Sequence, residues 1–277
     1  MIPAAHPGAA GTNLTGRVAI VTGGGSAEGG IGRSIALTLA SAGAAIAVVD
    51  LDISRAGEVR AVIEAAGGRA VAIAGDVADA ERCAAMVGEA TVALGRLDIL
   101  VNNVGLSATA TSLTDLDVAA LSRVFAINFQ SAVAMTAAAL PHFTAAGKGA
   151  IVNIASIAGM QAYGNIAYGP SKAALITFTR ETAVMHGRDG VRANVIAPGH
   201  IQTPHIAGMM DADMRRARKD IGPLGVEGDA WDIAQAVLFL ASDAARFVTG
   251  VLLPVDGGVS MVGPMTAHDL IERGNPA

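Results

Sequence analysis

Tyr168 and Lys172 stand four residues apart in the run YGPSK, a spacing that puts both side chains on one face of a helix. A free tyrosine titrates near pH ~10, too high for an efficient base at neutral pH, and a neighbouring ammonium favours its phenolate. The pair therefore reads as a general acid or base with its activator. A hydride can leave an alcohol carbon only if the hydroxyl proton also leaves, and a tuned phenol is suited to accept it. Twelve residues before Tyr168, the run AIVNIAS brings Ser156 to the end of a strand, where its hydroxyl can hydrogen-bond a carbonyl or alkoxide oxygen. Each feature alone is ordinary, because such Tyr/Lys pairs also occur as half-buried helix neighbours and many serines follow strands. Their relative position is what suggests chemistry.

A second chemical feature lies nearer the start. The run VAIVT leads into TGGGSAEGGIG, Thr22 to Gly32, and then into the helix-like RSIALTLASAG. Backbone N–H groups at such a turn, with the positive end of the following helix, can hold a pyrophosphate without any lysine. Strand before and helix after turn a weak glycine string into a dinucleotide-binding expectation. Asp50 ends the next strand eighteen residues after Gly32, where its carboxylate can accept hydrogen bonds from both adenosine ribose hydroxyls and would repel a 2′-phosphate. It could instead cap the next helix, but Asp52 and Ser54 are available for that. Leu51 follows, and the turn has no Lys or Arg before Arg33, so NAD is expected over NADP.

These residues need elements to position them. Short β-branched runs alternate with helical stretches: VAIVT (18–22), then runs ending at Asp50, Asp76, Asn103, Ser156, Pro198 and Asp256. Seven strands are expected. The runs are continuously apolar, so both faces need helices, as in a doubly wound parallel α/β sheet whose ligands bind at the strands' C-terminal ends. No composition break divides the 277 residues, so one domain is expected over 16–277, after a loose tail over 1–15. The irregular stretch from Gly199 to about Asp229 is long for a connection and reads as a substrate lid, at about 200–228.

Composition closes off other classes. At 52% hydrophobic and 16% charged residues the chain can fill a core and a subunit contact, which excludes disorder throughout. A net charge of -5 without a basic block gives nucleic acid no footprint. Cys83 is the only cysteine, so no internal disulfide is expected and a reducing cytoplasm suits the chain. No signal-peptide pattern opens it and no eighteen apolar residues run together, so no membrane span is expected.

From Gly16 to Gly258 the sequence resembles the short-chain dehydrogenase/reductase family. The resemblance rests on the glycine turn, GDV at Gly75 to Val77, NNVG at Asn102 to Gly105, FAINFQS around Asn128, Ser156, YGPSK, PGHIQTP from Pro198, and VDGG at Val255 to Gly258. It implies a single-domain Rossmann fold and an alcohol dehydrogenase or ketone reductase using NAD. In that reading Ser156 polarises the substrate oxygen, Tyr168 moves its proton, Lys172 also binds the nicotinamide ribose, and Asn128 supports a water relay. Gly23, Gly30, Ile31 and Gly32 form the phosphate turn, and Asp76 and Val77 meet the adenine edge. Asn103 and Gly105 line the cofactor floor, while Ile201 and Thr203, after the Pro198-Gly199 turn, hold the carboxamide.

Two departures from the family pattern stand out. The glycine turn is three residues longer than usual, leaving Gly24, Gly25, Ser26 and Glu28 either reaching the adenosine or bulging into solvent. The separation of Ser156 and Tyr168 is at the short end of the family's range.

The segment from Val124 to Leu140 is apolar around most of its circumference. It is either buried within its own subunit or, as the resemblance implies, packed with the YGPSK helix against a second subunit in a homodimer or homotetramer. In the lid, Met209, Met210 and Met214 suit either an apolar substrate or core packing. Arg215, Arg216, Arg218 and Lys219 read as a solvated face rather than a carboxylate site, and His200 and His205 as pocket or surface residues without a third metal ligand. Three rivals are an NADP-using carbonyl or enoyl reductase, disfavoured among enoyl reductases by the close Tyr/Lys spacing; an epimerase or dehydratase, disfavoured by the short C-terminal region; and a non-catalytic nucleotide-binding regulator, which would have no use for the four catalytic residues.

Overall fold

A computed structural model describes residues 11–107, 112–208 and 210–274. The strands are β1 (Val18–Thr22), β2 (Ala45–Asp50), β3 (Ala70–Ala74), β4 (Ile99–Asn102), β5 (Gly149–Ile154) and β6 (Val191–Pro198), then a short pair, β7 (Ile201–Gln202) and β8 (Gly228–Asp229), and finally β9 (Leu252–Val255). Seven of them make one sheet in the order β3-β2-β1-β4-β5-β6-β9, every neighbour parallel. These are the seven runs read from the sequence. The helices are α1 (Ile31–Ser41), α2 (Ile53–Ala65), α3 (Ala80–Leu94), α4 (Val118–Phe125), α5 (Ser131–Ala146), α6 (Tyr168–His186), α7 (Pro204–Ala207), α8 (Ala212–Asp220), α9 (Ala230–Ala241) and α10 (Pro264–Gly274).

Alternate residues of each inner strand enter opposite cores, which explains the unbroken apolar runs. In β1, Ala19 and Val21 join Ile35, Leu39, Val59 and Ile233 of α1, α2 and α9, while Val18 and Ile20 join Cys83, Met86, Met135 and Phe143 of α3 and α5. The chain order reverses between β1 and β4, so the loops after these two strands diverge and leave a crevice at their C-terminal ends. The glycine turn follows β1 and NNVG spans the end of β4.

The continuous helical stretch Val118–Ala146 is long and apolar enough to cross a membrane by length and composition alone. In this fold one side of it lies on the second core through Met135, Ala139 and Phe143, and it buries Asn128, Ser131 and Thr136. That polar burial belongs to a core-facing helix. Ala126–Gln130, between α4 and α5, winds as a π-helical turn.

Two sequence-based boundaries shift. The packed chain begins before Gly16: Leu14 is buried in the first core, its N–H donates to the Ala42 carbonyl at 2.7 Å, and its own carbonyl accepts from Arg17 N–H. Of the expected tail, residues 1–10 lie outside the described residues. The stretch expected to be an irregular lid, about 200–228, is not irregular either, since it contains α7, α8 and β7, which pairs with β8. Thr203 and Asp211 supply the side-chain caps that start α7 and α8.

Leu14→Ala is expected to cost roughly 2–5 kcal/mol, the range for emptying a fully buried leucine site. Urea unfolding followed by circular dichroism measures it, and a change below about 0.5 kcal/mol would return Leu14 to a loose tail.

Candidate active site

The catalytic side chains come from the end of β5, the first turn of α6 and the π-turn before α5. Lys172 is 2% exposed, and its ammonium donates to the Ile154 carbonyl at 2.9 Å. This bond ties α6 to the last residue of β5. Two residues beyond Ile154, Ser156 accepts the Ala158 N–H at 3.1 Å, which fixes its side chain at the mouth of the crevice. Ser156 also favours the ionised form of the Tyr168 phenol. Lys172 Nζ lies 5.8 Å from the centre of the Tyr168 ring, one helical turn on.

The electrostatics differ from the simplest expectation of an ammonium that lowers the phenol's pKa. Burial holds the Tyr168 phenol above its usual value, with Ser156 acting in the opposite direction. Burial also pushes the Lys172 ammonium down to about 8. Desolvation outweighs the attraction between the two charged forms in the protein alone.

Asn128 is buried. Its carbonyl oxygen accepts the Leu106 N–H at 2.6 Å, and its amide donates to the Leu106 carbonyl and to Ser171 Oγ, both at 2.9 Å. Ser171 in turn donates to the Tyr168 carbonyl at 2.7 Å. The serine inside YGPSK thus joins the π-turn to the catalytic helix, a role the sequence reading missed although the residue sits inside the motif. A Cβ on Gly105 would stand 3.2 Å from Lys172 Nζ and 3.8 Å from Asn128 Oδ1. Gly105, Lys172 and Asn128 therefore share one wall, and only glycine leaves it open.

Beneath them lies a second missed set. Asn102 and Asn153, register partners on β4 and β5, are linked by a 2.8 Å bond from Asn102 Nδ2 to Asn153 Oδ1, and Asn153 donates to Thr179 of α6 at 2.8 Å. All three are buried. Two asparagines in otherwise apolar strands were the available signal.

The glycine turn forms a cradle. Gly23 has φ +64, and a Cβ on Gly32 would lie 2.0 Å from the Gly23 carbonyl oxygen and 2.6 Å from Asn103 Nδ2. Asn103 braces the turn from below, its amide donating to the Thr22 carbonyl at 3.0 Å. Helix α1 begins after Gly30 with no side-chain N-cap and no acidic residue in its first turn, and Ile31 at its start packs against the first core. This tight backbone at the positive end of α1 fits a dinucleotide pyrophosphate.

The inserted residues are partly explained. Ser26 Oγ accepts the Arg33 N–H at 3.0 Å, and a Cβ on Gly30 would meet that hydroxyl at 2.5 Å, so the longer turn folds back over the helix start. Gly25 N–H donates to Asp50 Oδ2 at 3.1 Å. Asp52 caps α2 through Ser54 N–H, which leaves Asp50 free of that task.

The remaining cofactor candidates ring the same edge. Asp76 accepts the Ala78 N–H and Val77 is buried. Pro198 ends β6, and a Cβ on Gly199 would lie 2.4 Å from the Asp256 Cβ, so PGH passes tightly over VDGG. Ile201 is buried and Thr203 caps α7 through Ile206 N–H.

His200 is half-buried with Nδ1 3.0 Å from the Arg218 carbonyl, and burial lowers its pKa. No group of three His, Cys, Asp or Glu among the described residues could hold a metal ion. Arg218 leaves the expected solvated face, being half-buried against Glu227. Met209 and the His205 side chain lie outside the described residues.

Comparison with known proteins agrees with this geometry. A family model described as enoyl-(acyl carrier protein) reductase matches residues 24–260. A cis-4-hydroxycyclohexanecarboxylate dehydrogenase of Sinomonas cyclohexanicum is 40% identical over 247 residues, 89% of this chain and 97% of that protein. A cyclohexanol dehydrogenase of Acinetobacter sp. strain SE19 is 37% identical, over 87% of this chain and 94% of its own. The crystal structure of a 7α-hydroxysteroid dehydrogenase with NADH and 7-oxo glycochenodeoxycholic acid is similar at a TM-score of 0.86 and 34% identity, covering 90% of this chain and 96% of that one.

Lys172 loses its proton at about 8 when folded, against 10.5 in the open chain. Between those values the unfolded chain binds more protons, so stability rises with pH, by on the order of 3 kcal/mol across the window. Urea unfolding of wild type and Lys172→Met from about pH 7.5 to 10 is expected to show wild type gaining on the variant. A difference that stays flat with pH would mean that Lys172 keeps its ordinary pKa.

Proposed function

The chain belongs to the short-chain dehydrogenase/reductase family and is an NAD(P)-dependent oxidoreductase of small alcohols or ketones; from that premise we propose that it interconverts a cyclic secondary alcohol and its ketone with NAD. The observation that carries the reading is buried Lys172 one helical turn from Tyr168, its Nζ 5.8 Å from the ring centre, bonded to the Ile154 carbonyl two residues before Ser156. A substrate oxygen bound at Ser156 and Tyr168 meets one hydroxyl that polarises it and one that exchanges its proton. Bound nicotinamide supplies the hydride acceptor or donor. Lys172 biases the phenol toward phenolate below about 8, where it is cationic, and Asn128 holds the Leu106 backbone beside it.

The preference for NAD rests on Asp50. Its carboxylate ends β2 with one oxygen on Gly25 N–H and the other on Asp52 N–H, and a 2′-phosphate there would face like charge at short range. In this reading the pyrophosphate sits on Gly23, Gly30, Ile31 and Gly32, the adenine beside Asp76 and Val77, and the nicotinamide over Asn103 and Gly105. Ile201 and Thr203 hold its carboxamide from the Pro198-Gly199 side.

Two things support a cyclic substrate. Both named relatives are, by name, dehydrogenases of six-membered-ring alcohols. The loops and helices that follow the C-terminal ends of β5, β6 and β9 also leave Met160, Tyr163, Met214, Leu224 and Met261 more than a third exposed, apolar side chains that suit the carbon face of a ring. The enoyl reductase description points to a second reading, reduction of a carbon–carbon double bond. The influence of Ser156 on the Tyr168 phenol favours oxygen chemistry.

We also propose a homodimer or homotetramer through the outer side of α5 and α6. Phe129 and Phe178 meet edge to face there, with centroids 6.0 Å apart, and remain partly exposed. The enzyme's place in this reading is the cytoplasm.

Turnover of cyclohexanols, cyclic diols and hydroxysteroids, followed by NADH absorbance, is expected to favour NAD. Asp50→Ala should erase most of that preference; equal rates with NADP in wild type would remove Asp50 from the argument. Tyr168→Phe should lower turnover by roughly 10³-fold while NADH still binds. Retained turnover sinks the mechanism, and activity confined to enoyl thioesters would transfer the chain to the second reading.

A further inference from the structure

Helix α8 is a polar helix, ADMRRARKD, yet one of its arginines faces inward. Arg215 is 48% exposed, whereas Arg218 is 14% exposed and its partner Glu227 12%. The Arg218 guanidinium makes three contacts. Nε donates to Glu227 Oε1 at 2.9 Å, Nη2 to the Ile201 carbonyl at 3.4 Å, and Nη1 to Met210 Sδ at 3.3 Å. Its backbone carbonyl meets His200 Nδ1 at 3.0 Å. The His200 carbonyl in turn accepts Gly228 N–H, where β7 pairs with β8. One side chain thus joins Met210 between α7 and α8, the residue before β8, and β7 itself. Three of its five N–H groups are thus turned toward the protein itself.

We propose that Arg218 is a positioning residue for the dinucleotide: its fork fixes β7, and through β7 the Ile201–Thr203 segment, in the place where the nicotinamide end binds. The inference rests on the reading above that this segment holds the carboxamide. A planar fork can reach a carboxylate and a backbone carbonyl at once, which a lysine cannot do. Because the Arg218–Glu227 pair is largely dry, removing one partner strands the other charge beside the segment to be held.

NADH and ADP-ribose, the same ligand without its nicotinamide, distinguish positioning from general damage. Affinities are read by protein fluorescence and calorimetry, with melting temperature alongside. Arg218→Met should weaken NADH about tenfold and change ADP-ribose by less than about twofold. Arg218→Lys, which keeps a charge for Glu227 but lacks the fork, should recover melting temperature and not NADH affinity. Parallel loss of both ligands, or wild-type NADH affinity in Arg218→Lys, overturns the proposal. Thr203→Val tests the underlying reading: if NADH affinity is intact there, the segment does not hold the nicotinamide, whereas loss in Thr203→Val with none in Arg218→Met removes Arg218 alone.

Discussion

A single charge-assisted bond, from the Lys172 ammonium to the Ile154 carbonyl, sets the geometry of the reacting centre. An ammonium almost wholly removed from water needs a strong acceptor, and the end of β5 supplies one. The bond fixes the rotation of α6 on the sheet. That rotation decides where Tyr168 stands, because it lies one turn earlier on the same face. Ser156 follows from the other end of the same bond, two residues past Ile154. Proton donor, oxygen ligand and cation are thereby arranged by one helix-to-strand contact.

The contact holds only if the helix is seated below it as well. Asn153 reaches Thr179 of α6 and accepts from Asn102 of β4, so a buried polar chain crosses from strand to strand to helix beneath the site. Ser171 and Asn128 repeat the arrangement above, joining α6 to the π-turn and to Leu106. In a low-dielectric interior such chains fix one arrangement, since any slip leaves donors unpaired. The π-turn then has a physical reason, because it sits where Asn128 must turn inward to make three bonds at once.

The sheet was legible in the sequence because a parallel sheet covered on both sides writes continuous apolar runs, and all seven appeared as such. The catalytic residues were legible because they fall at strand ends or within one helical turn of each other. What stayed hidden depends on long-range pairing. Arg218 sits among three other basic residues in a segment with no apolar face, and only Glu227, nine residues away across a turn, draws it inward. Leu14 stands alone ahead of Gly16, so no periodicity marks it as core. Ser26 reaches Arg33 across seven residues of a turn without a repeating pattern. In each case one side chain is matched to a site made by distant chain.

The enlarged glycine turn and the lid meet across the crevice. A Cβ on Gly29 would stand 3.5 Å from the Pro204 ring at the start of α7, so a residue of the enlarged turn faces that ring at the distance of an ordinary side-chain contact. Pro204 is preceded by Thr203 and Ile201, and those are tied through Arg218 to α8 and Glu227. Gly29 has φ +77, which lets the turn approach the proline without a side chain in the way.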